Sequence, residues 1–324
     1  MPKFIAITIG DIKGIGIEIL LKTWRERKIK NIILFTNINV FTQYLKNKKI
    51  KIEVNLIDDK KLNLNYSKSK LNIYSFNSKN LADNTYHSLK FAYKFCKKNI
   101  CMGMITLPLR KDIIKKKVNK KFIGQTEFFQ NIDQKKFSNM ILFHKKIIIT
   151  TLTTHLEVKK ISKILSNKNF LINQIINLNN TLKVDFNISN PKIIISGFNP
   201  HAGERGEIGN EEIKSIIPVV KKLKLLKIKI DGPFSADSIL INENLNKYDC
   251  FIFIFHDQAL IPFKFISQFT GVNYTGNLDI IRTSPDHGTG YNIIGTDKIS
   301  TKSFINCYKL VKKIYKNRMI NAKT

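Results

Sequence analysis

The stretch Cys250-Phe-Ile-Phe-Ile-Phe255 is apolar at every position and runs directly into His256-Asp-Gln258. Because successive side chains of a β-strand point to opposite faces of the sheet, a run that is apolar throughout is buried on both faces. Such strands lie at the centre of parallel sheets that helices cover on both sides. The stretch therefore predicts a central strand of an α/β fold, with polar residues at its carboxyl end.

Other short apolar runs alternate with longer amphipathic segments, a pattern typical of an α/β protein with a mainly parallel sheet. Further strands are predicted at Lys3–Ile9, Asn31–Thr36, Lys51–Ile57, Cys101–Thr106, Lys146–Leu152, Lys192–Ser196 and Lys227–Ile230. The lysine-rich stretch Arg110–Lys121 predicts a solvated helix and turn, and Ser303–Ile320 predicts a C-terminal helix.

A helix is also predicted after Asn210, which would cap its N-terminus. Glu211 and Glu212 would occupy its first turn, where the helix dipole favours acidic residues. Its buried face is expected to contain Ile213, Ile216, Ile217 and Val220. Pro218 lies inside this run and predicts a kink or an early stop.

Composition excludes several classes of protein. With 324 residues and 43% hydrophobic residues, the chain can form a large core, and its four cysteines form no CxxC pair. No signal-peptide core and no apolar run near the ~18–20 residues of a membrane span is present, so the protein is expected to be cytoplasmic, with no membrane partner.

The net charge of +31 suggests an alternative outside the enzymes, namely a nucleic-acid-binding protein. Its affinity for nucleic acid would fall steeply with salt concentration. The lysines are spread along the whole chain without a nucleic-acid-binding motif, which favours adventitious surface charge and makes a nucleic-acid partner the weaker interpretation.

Three of the six histidines follow predicted strands: His155, His201 and His256. Ligand sites of open α/β sheets lie outside the carboxyl ends of the strands. Three imidazoles with an open fourth position would make a catalytic site for zinc or a similar divalent ion. A single histidine of this kind is more often a hydrogen-bonded structural residue, so the metal interpretation depends on the three together.

A cluster around Asn273 and Arg282 combines cations with neutral hydrogen-bond donors, and Lys264 adds a second cation. Arginine binds phosphate or carboxylate with bidentate geometry, whereas lysine acts as a point charge. The segment Thr8–Glu18 is glycine-containing but departs from the dinucleotide pattern GxGxxG, because Ile19 stands where its last glycine would be.

These polar segments carry motifs that resemble the family of 4-hydroxythreonine-4-phosphate dehydrogenases of vitamin B6 biosynthesis. The motifs are GDxxGIGxE (Gly10–Glu18), TxPxxK (Thr106–Lys111), GxTEFF (Gly124–Phe129), TTHL (Thr153–Leu156), NPHAGExGxxGxEE (Asn199–Glu212), GPxxAD (Gly232–Asp237), HDQ (His256–Gln258) and RTSxDHGT (Arg282–Thr289). They occur in order from about residue 4 to about residue 297.

The resemblance implies a two-lobed fold like that of isocitrate and isopropylmalate dehydrogenases, with an active-site cleft between the lobes. Residues 1–125 plus 285–324 would form the first, nucleotide-side lobe, and residues 126–284 the second, with the metal and substrate residues and the dimer interface. The resemblance also implies a homodimer.

The resemblance further implies NAD-dependent, metal-dependent oxidation of 4-phosphohydroxy-L-threonine to 2-amino-3-oxo-4-phosphooxybutanoate, which loses CO₂ to give 3-amino-2-oxopropyl phosphate. NADP remains possible as the cofactor, and zinc, magnesium or cobalt as the metal. The implied metal ligands are His155, His201 and His256, the last reaching across the dimer interface. The implied substrate-binding residues are Gln125, Thr126, Lys264, Asn273 and Arg282. The implied nucleotide-binding turn is Asp286, His287, Gly288 and Thr289, and the catalytic candidates are Asp237, Asp257 and Lys264.

One departure bears on specificity, because Gln125 stands where the family has histidine. Glutamine keeps hydrogen-bonding ability but does not titrate near neutrality. Related dehydrogenases of threonate or erythronate phosphates are therefore the alternative within the enzyme class. An inactive homologue is a third reading.

Overall fold

The computed structural model describes residues 4–58 and 65–322, so that Lys3 of the first predicted strand lies outside the described residues. The chain divides into two compact units. The first unit contains the described residues of Met1–Ile132 and of Asp279–Tyr315, and the second those of Asp133–Leu278 and of Lys316–Thr324.

The strands of the described residues are numbered in chain order. They are β1 (Phe4–Thr8), β2 (Ile32–Phe35), β3 (Val54–Leu56), β4 (Leu71–Tyr74), β5 (Cys101–Thr106), β6 (Asn139–His144), β7 (Ile147–Thr151), β8 (Lys192–Ser196), β9 (Lys229–Phe234), β10 (Cys250–Phe253), β11 (Val272–Gly276) and β12 (Arg282–Pro285).

The α-helices of the same residues are numbered likewise. They are α1 (Ile15–Arg25), α2 (Ile38–Asn47), α3 (Leu81–Lys97), α4 (Lys111–Lys117), α5 (Gln125–Ile132), α6 (Ile161–Leu165), α7 (Lys168–Val184), α8 (Ile217–Leu225), α9 (Asn242–Lys247), α10 (His256–Ser267) and α11 (Lys302–Asn321). None is both long and apolar enough to cross a membrane, within the part of the chain that is described.

In the first unit the strand order is β3-β4-β2-β1-β5-β12, and all of these neighbours run parallel. In the second unit the order is β11-β6-β7-β10-β8-β9. There β6 is antiparallel to both β11 and β7, while β7, β10, β8 and β9 are parallel. The predicted α/β fold with a mainly parallel sheet is confirmed.

The predicted central strand is confirmed as β10, which lies between β7 and β8 with all four residues buried. Around it a core packs that includes Phe251, Phe253 and Phe263. The strand ends at Phe253, two residues earlier than predicted, because Phe255 already adopts the capping position of α10.

Four strands, namely β4, β6, β11 and β12, were absent from the sequence prediction. They are short or carry polar residues such as Asn139, Asn273 and Arg282, so their hydrophobic pattern is weak. The prediction Lys227–Ile230 is wrong at its start. Lys227 lies in a turn with a φ of 60°, and β9 instead runs on to Phe234.

The helix predicted after Asn210 is present, but its first turns differ from the prediction. Glu212–Ile216 form a π-helical segment, after which α8 continues through Pro218 without stopping. The wider turn rotates the face, so Ile213 is 45% exposed while Glu212 is 1% exposed. The expected burial of Ile213 is therefore wrong. The π turn also accommodates Pro218, which lacks the N–H that an α-helix would use there.

The C-terminal helix is confirmed as α11, and the lysine-rich segment as α4, in which Ile114 is the buried residue. All four cysteines are buried and free of disulfide bonds. Burial raises the pKa of each of these thiols.

Candidate active site

The carboxyl ends of four adjacent strands in the second unit carry the polar residues singled out from the sequence. His155 follows β7, His256 follows β10, His201 follows β8 and Asp237 follows β9. Because β7, β10, β8 and β9 are neighbouring parallel strands, their carboxyl ends meet at one edge of this sheet. The prediction that the three histidines follow strand ends is confirmed.

His155 and His256 lie close together, with ring centroids 6.0 Å apart. The loop before His155 is tied to β10, because the backbone N–H and Oγ1 of Thr153 both donate to the Ile254 carbonyl, at 3.0 Å and 2.8 Å. The edge of the sheet therefore fixes the start of the loop that carries His155.

His256 begins α10, and its Nδ1 lies 2.7 Å from Oδ1 of Asp257. The imidazole remains 40% exposed and the carboxylate 71% exposed. A carboxylate at one ring nitrogen orients the imidazole and leaves the other nitrogen for a ligand, an arrangement frequent among metal-binding histidines.

Gln258, for which the sequence predicted no role, also links two of these strand ends. Its Oε1 accepts a hydrogen bond of 3.1 Å from the Ile254 backbone, and its Nε2 donates 3.3 Å to the Gly197 carbonyl. The amide thus bridges the end of β10 to the loop after β8. Its place in the HDQ motif was the only signal in the sequence.

His201 lies on the segment Pro200–Gly206, here called the histidine loop. From His201 to Arg205 every residue has a positive φ. For residues other than glycine this left-handed conformation costs roughly 1–2 kcal/mol each. The buried Glu212 lies beneath this loop.

Imidazole nitrogens suit a divalent transition-metal ion, and the chemistry of this donor set fits one. Two imidazoles that bind one ion through nitrogens at about 2.0–2.1 Å have rings close to each other, as His155 and His256 do. Among the described residues no group of three or more His, Cys, Asp and Glu side chains gathers closely enough to hold a metal ion.

Two other candidates belong to the second unit. Lys264 lies on α10, where its Nζ is 4.8 Å from the centre of the Phe269 ring. Asn273 lies on β11, and its Oδ1 is buried without a hydrogen-bond partner among the described residues. A buried amide oxygen without a partner costs free energy, so this atom is a ready acceptor for a ligand.

In the first unit the structure brings Arg282, Gln125 and Thr126 together. Arg282 lies on β12 and is only 3% exposed. Its Nη2 donates to Oε1 of Gln125 at 2.7 Å, and its Nη1 donates to Oγ1 of Thr126 at 3.4 Å. Arg282 therefore forms one cluster with two residues that lie 156 and 157 positions earlier in the chain.

Thr106 is a further member of this cluster that the sequence analysis left without a role. Its Oγ1 accepts a hydrogen bond of 3.0 Å from Arg282 Nε. The guanidinium also lies 5.9 Å from the centre of the Phe129 ring. Burial lowers the pKa of Arg282 to about 10, against the raising effects of Cys307 and Glu127. The first position of the TxPxxK motif was the only sequence signal for Thr106.

The turn Asp286–Thr289 follows β12 and packs on the first glycine-containing loop. Ile15 N donates to the Thr289 carbonyl at 2.9 Å, and a Cβ at Gly14 would lie 2.7 Å from that oxygen. Asp286 is 8% exposed, and its backbone N–H donates to Ser303 Oγ at 2.9 Å. The close approach explains the need for glycine at position 14.

A hydrogen bond from the Tyr291 hydroxyl to Asp11 also joins the two loops. On this side of the first unit a cavity of about 670 Å³ is lined by residues that include Lys13, Gly14, Glu18, Tyr44 and Ile294. Its size suits a nucleotide-sized ligand, since small-molecule sites span roughly 300–1,000 Å³.

Comparisons with known proteins cover nearly the whole chain. Residues 28–311 match the family model described as pyridoxal phosphate biosynthetic protein PdxA. The 4-hydroxythreonine-4-phosphate dehydrogenase of Wigglesworthia glossinidia brevipalpis is 34% identical over 92% of each chain. The enzyme of that name from Aquifex aeolicus is 33% identical over 96% of this chain and 98% of its own.

Among solved structures, the 4-hydroxythreonine-4-phosphate dehydrogenase from Klebsiella pneumoniae superposes with a TM-score of 0.82. It is 25% identical, and the match covers 97% of this chain and 98% of that chain.

Proposed function

This chain belongs to the PdxA family of pyridoxal phosphate biosynthetic proteins, and from that premise we propose that it is a 4-hydroxythreonine-4-phosphate dehydrogenase. The chain is accordingly an oxidoreductase that acts on a phosphorylated small molecule. The observation that carries the proposal is the similarity along almost the full length to enzymes of that name. The polar clusters described in the two units are proposed to supply the groups that this reaction needs.

Arg282 is proposed to bind the substrate phosphate, with Thr126 as a neutral donor beside it. Guanidinium groups bind phosphate through two parallel hydrogen bonds, which requires a fixed guanidinium plane. The hydrogen bonds from Arg282 to Thr106 and Gln125 supply that restraint and support this role. Gln125, as a member of the same cluster, is also proposed to contact the substrate.

Asn273 and Lys264 are proposed to contact the polar groups of the substrate. The buried Oδ1 of Asn273, which has no partner within the described residues, supports a role in accepting a hydrogen bond from an ammonium or hydroxyl group. Lys264 supplies a positive charge on α10, in the same unit as Asn273.

His155, His201 and His256 are proposed to hold one divalent ion, which could be zinc, magnesium or cobalt. When bound, the ion would supply Lewis acidity toward the substrate hydroxyl, and NAD would supply the hydride acceptor. All three histidines follow the carboxyl ends of neighbouring parallel strands of the second unit, which supports their use as ligands at one sheet edge. The contribution of His256 across a dimer interface, which the family resemblance implies, stays a prediction.

Asp257 and Asp237 are proposed to play different parts. The 2.7 Å contact between Asp257 and Nδ1 of His256 supports a role for this carboxylate in orienting the imidazole. Asp237 follows β9 at the same sheet edge and is exposed, which leaves it accessible as the base that takes the hydroxyl proton.

NAD, with NADP as the less favoured option, is proposed to bind beside Asp286, His287, Gly288 and Thr289. Two features support this location. The turn is held closely against Gly14, and the adjoining cavity of about 670 Å³ is large enough for part of a dinucleotide.

A homodimer is proposed, with the apolar face of α10 in its interface. Ile261 and Phe265 on α10 are 69% and 79% exposed, and Phe269, just after the helix ends, is 56% exposed. Contiguous exposed apolar residues of this size mark protein–protein contacts more often than free surface. Ile261 and Phe265 belong to the helix that begins with His256, so the proposed dimer interface would lie close to a proposed metal ligand.

The test is NADH formation from 4-phosphohydroxy-L-threonine and NAD, measured before and after a chelator strips the metal. Metal-dependent turnover is the expected result. The phosphates of threonate and erythronate are assayed in parallel, because Gln125 contacts Arg282 directly and could alter the choice of acid. If only threonate phosphate or erythronate phosphate is turned over, that acid is the substrate in place of 4-phosphohydroxy-L-threonine. If none of the three compounds is turned over, the assignment is refuted.

A further inference from the structure

The histidine loop has a backbone that needs an external restraint. His201, Ala202, Glu204 and Arg205 have φ values of 49°, 52°, 40° and 58°, and Gly203 between them has 80°. Only glycine adopts this region freely, so four other residues with positive φ, two on each side of Gly203, are disfavoured in an isolated loop. A conformation of this kind persists only where its surroundings determine it.

Glu212 supplies the restraint from below the loop. Its side chain is 1% exposed, and Oε1 accepts hydrogen bonds from the backbone N–H groups of Phe198 and Asn199 at 2.7 Å and 2.8 Å. Its Oε2 accepts a third from Asn199 Nδ2 at 2.9 Å. A buried carboxylate that accepts several N–H donors makes short, charge-assisted bonds.

The loop closes directly onto this carboxylate. A Cβ at Gly203 would lie 2.7 Å from Glu212 Oε2, and a Cβ at Gly197 would lie 3.1 Å from Oε1. Glycine at both positions therefore lets the backbone on either side of His201 pack against the same side chain. Glu212 thus contacts the loop before and after the histidine.

Asn199 extends the restraint to the surface. Its Nδ2 also donates to Glu211 Oε2 at 2.8 Å, and Glu211 Oε1 accepts from Ser162 Oγ at 2.8 Å. The network is therefore anchored to α6, the helix that contains Ser162, as well as to the helix that begins at Glu211.

We propose that Glu212 is the positioning residue of the histidine loop: it binds no ion itself, but it fixes the loop so that His201 can ligate a divalent cation. The inference rests on the proposed metal site. Neutral or shortened replacements of Glu212 should weaken cation binding even though the three histidines are unchanged, because free loop conformations would compete with the ligating one.

The experiment uses the full-length chain, stripped of metal and titrated with Zn²⁺ alone by calorimetry. Glu212→Ala is compared with Glu212→Gln, His201→Ala and the control Leu223→Ala. Leu223 is fully buried on α8, eleven residues after Glu212, so its replacement destabilises the same unit and leaves the hydrogen bonds of Glu212 in place. Hydrogen exchange of the Phe198 and Asn199 amides is followed in parallel.

Glu212→Ala should weaken Zn²⁺ binding by about 10–100-fold, the range known for residues that support metal ligands. Glu212→Gln keeps an oxygen for the two backbone donors but sets an amide N–H₂ against Asn199, so a smaller loss is expected. Leu223→Ala should bind Zn²⁺ as the wild type does. The Phe198 and Asn199 amides should exchange faster in Glu212→Ala than in Leu223→Ala.

Wild-type affinity in both Glu212 variants, with His201→Ala weakened, would overturn this inference and leave the metal site standing. Wild-type affinity in His201→Ala would overturn the metal site and this inference together. If Glu212→Ala does not fold, Glu212→Gln decides alone: unchanged affinity counts against the inference, and weakened affinity supports it.

Discussion

Arg282 and Gln125 hold each other in one orientation. Arg282 Nη2 donates to Gln125 Oε1 at 2.7 Å, and Gln125 Nε2 donates to the Leu107 carbonyl at 3.1 Å. Since a guanidinium can only donate and a carbonyl can only accept, these two neighbours leave the amide a single favourable orientation. Gln125 therefore acts on the guanidinium as an acceptor that carries no charge.

Replacing Gln125 by Leu should raise KM for the phosphorylated substrate and change kcat much less. The substitution removes a hydrogen bond to a charged group, which contributes about 1.5–3 kcal/mol, so KM should rise by roughly 10–100-fold. Steady-state kinetics at fixed NAD measures the effect. Gln130→Leu, on the same helix α5, is the matched control and should leave KM within about twofold of wild type.

Replacing Gln125 by His should create a pH dependence that the wild type lacks. A neutral imidazole can accept from Arg282 and donate to Leu107, whereas an imidazolium only donates and repels the guanidinium. KM of Gln125→His relative to wild type should therefore rise as the pH falls below the ordinary imidazole pKa of about 6.5, because the buried guanidinium lowers the pKa of this imidazole.

The ratio of the two KM values at each pH is the quantity to plot. It cancels the second ionisation of the substrate phosphate, which has a pKa near 6. A KM ratio near one at pH 8 that then falls with falling pH would show that residue 125 does not act on Arg282 as an acceptor.

Phe265→Asp should convert the proposed homodimer into a monomer. The substitution places a charge at the centre of an apolar face, where Phe265 is 79% exposed in the single chain. Light scattering after size-exclusion chromatography gives the mass. Leu225→Asp, at a residue that is 78% exposed at the end of α8, is the control and should keep the wild-type mass. A dimeric Phe265→Asp would place the interface elsewhere.

Arg318→Met should destabilise the protein by about 3–5 kcal/mol, because it leaves a buried carboxylate without its cation. Arg318 Nε donates to Asp185 at 2.6 Å, and that carboxylate is 4% exposed and also accepts from the Tyr274 hydroxyl. Urea denaturation monitored by circular dichroism measures the loss.

Lys224→Met is the control for that loss. Lys224 lies 3.0 Å from Asp231, but both side chains are about half exposed, so removing this pair should cost at most about 1 kcal/mol. Equal losses in the free energy of unfolding of the two variants would mean that Arg318 stabilises the buried Asp185 no more than Lys224 stabilises the exposed Asp231.

Much of the fold followed from hydrophobic pattern alone, because strands buried on both faces leave continuous apolar runs. The run Cys250–Phe255 predicted β10 and its central place in the sheet. The positions of His155, His201 and His256 after predicted strands indicated that they lie at the carboxyl ends of those strands. Strands β6 and β11 escaped prediction because they pair antiparallel and mix polar with apolar residues.

The supporting residues escaped prediction for a different reason. The sequence predicted Glu212 only as an acidic residue in the first turn of a helix. The π-helical segment Glu212–Ile216, which no residue pattern predicted, instead buries its side chain beneath the histidine loop. Thr106 and Gln258 act through hydrogen bonds to residues more than 50 positions away in the chain, a relation that local patterns do not carry.

The position of β10 between β7 and β8 also sets an order of events during folding. This central strand comes last of the three in the chain, so β7 and β8 can pair with it only after both have been synthesised. His155 and His256 become neighbours only when that pairing is complete. Non-local strand pairing of this kind is slow relative to helix formation. The sheet edge that carries the two histidines should therefore form late in a refolding chain, after the helices.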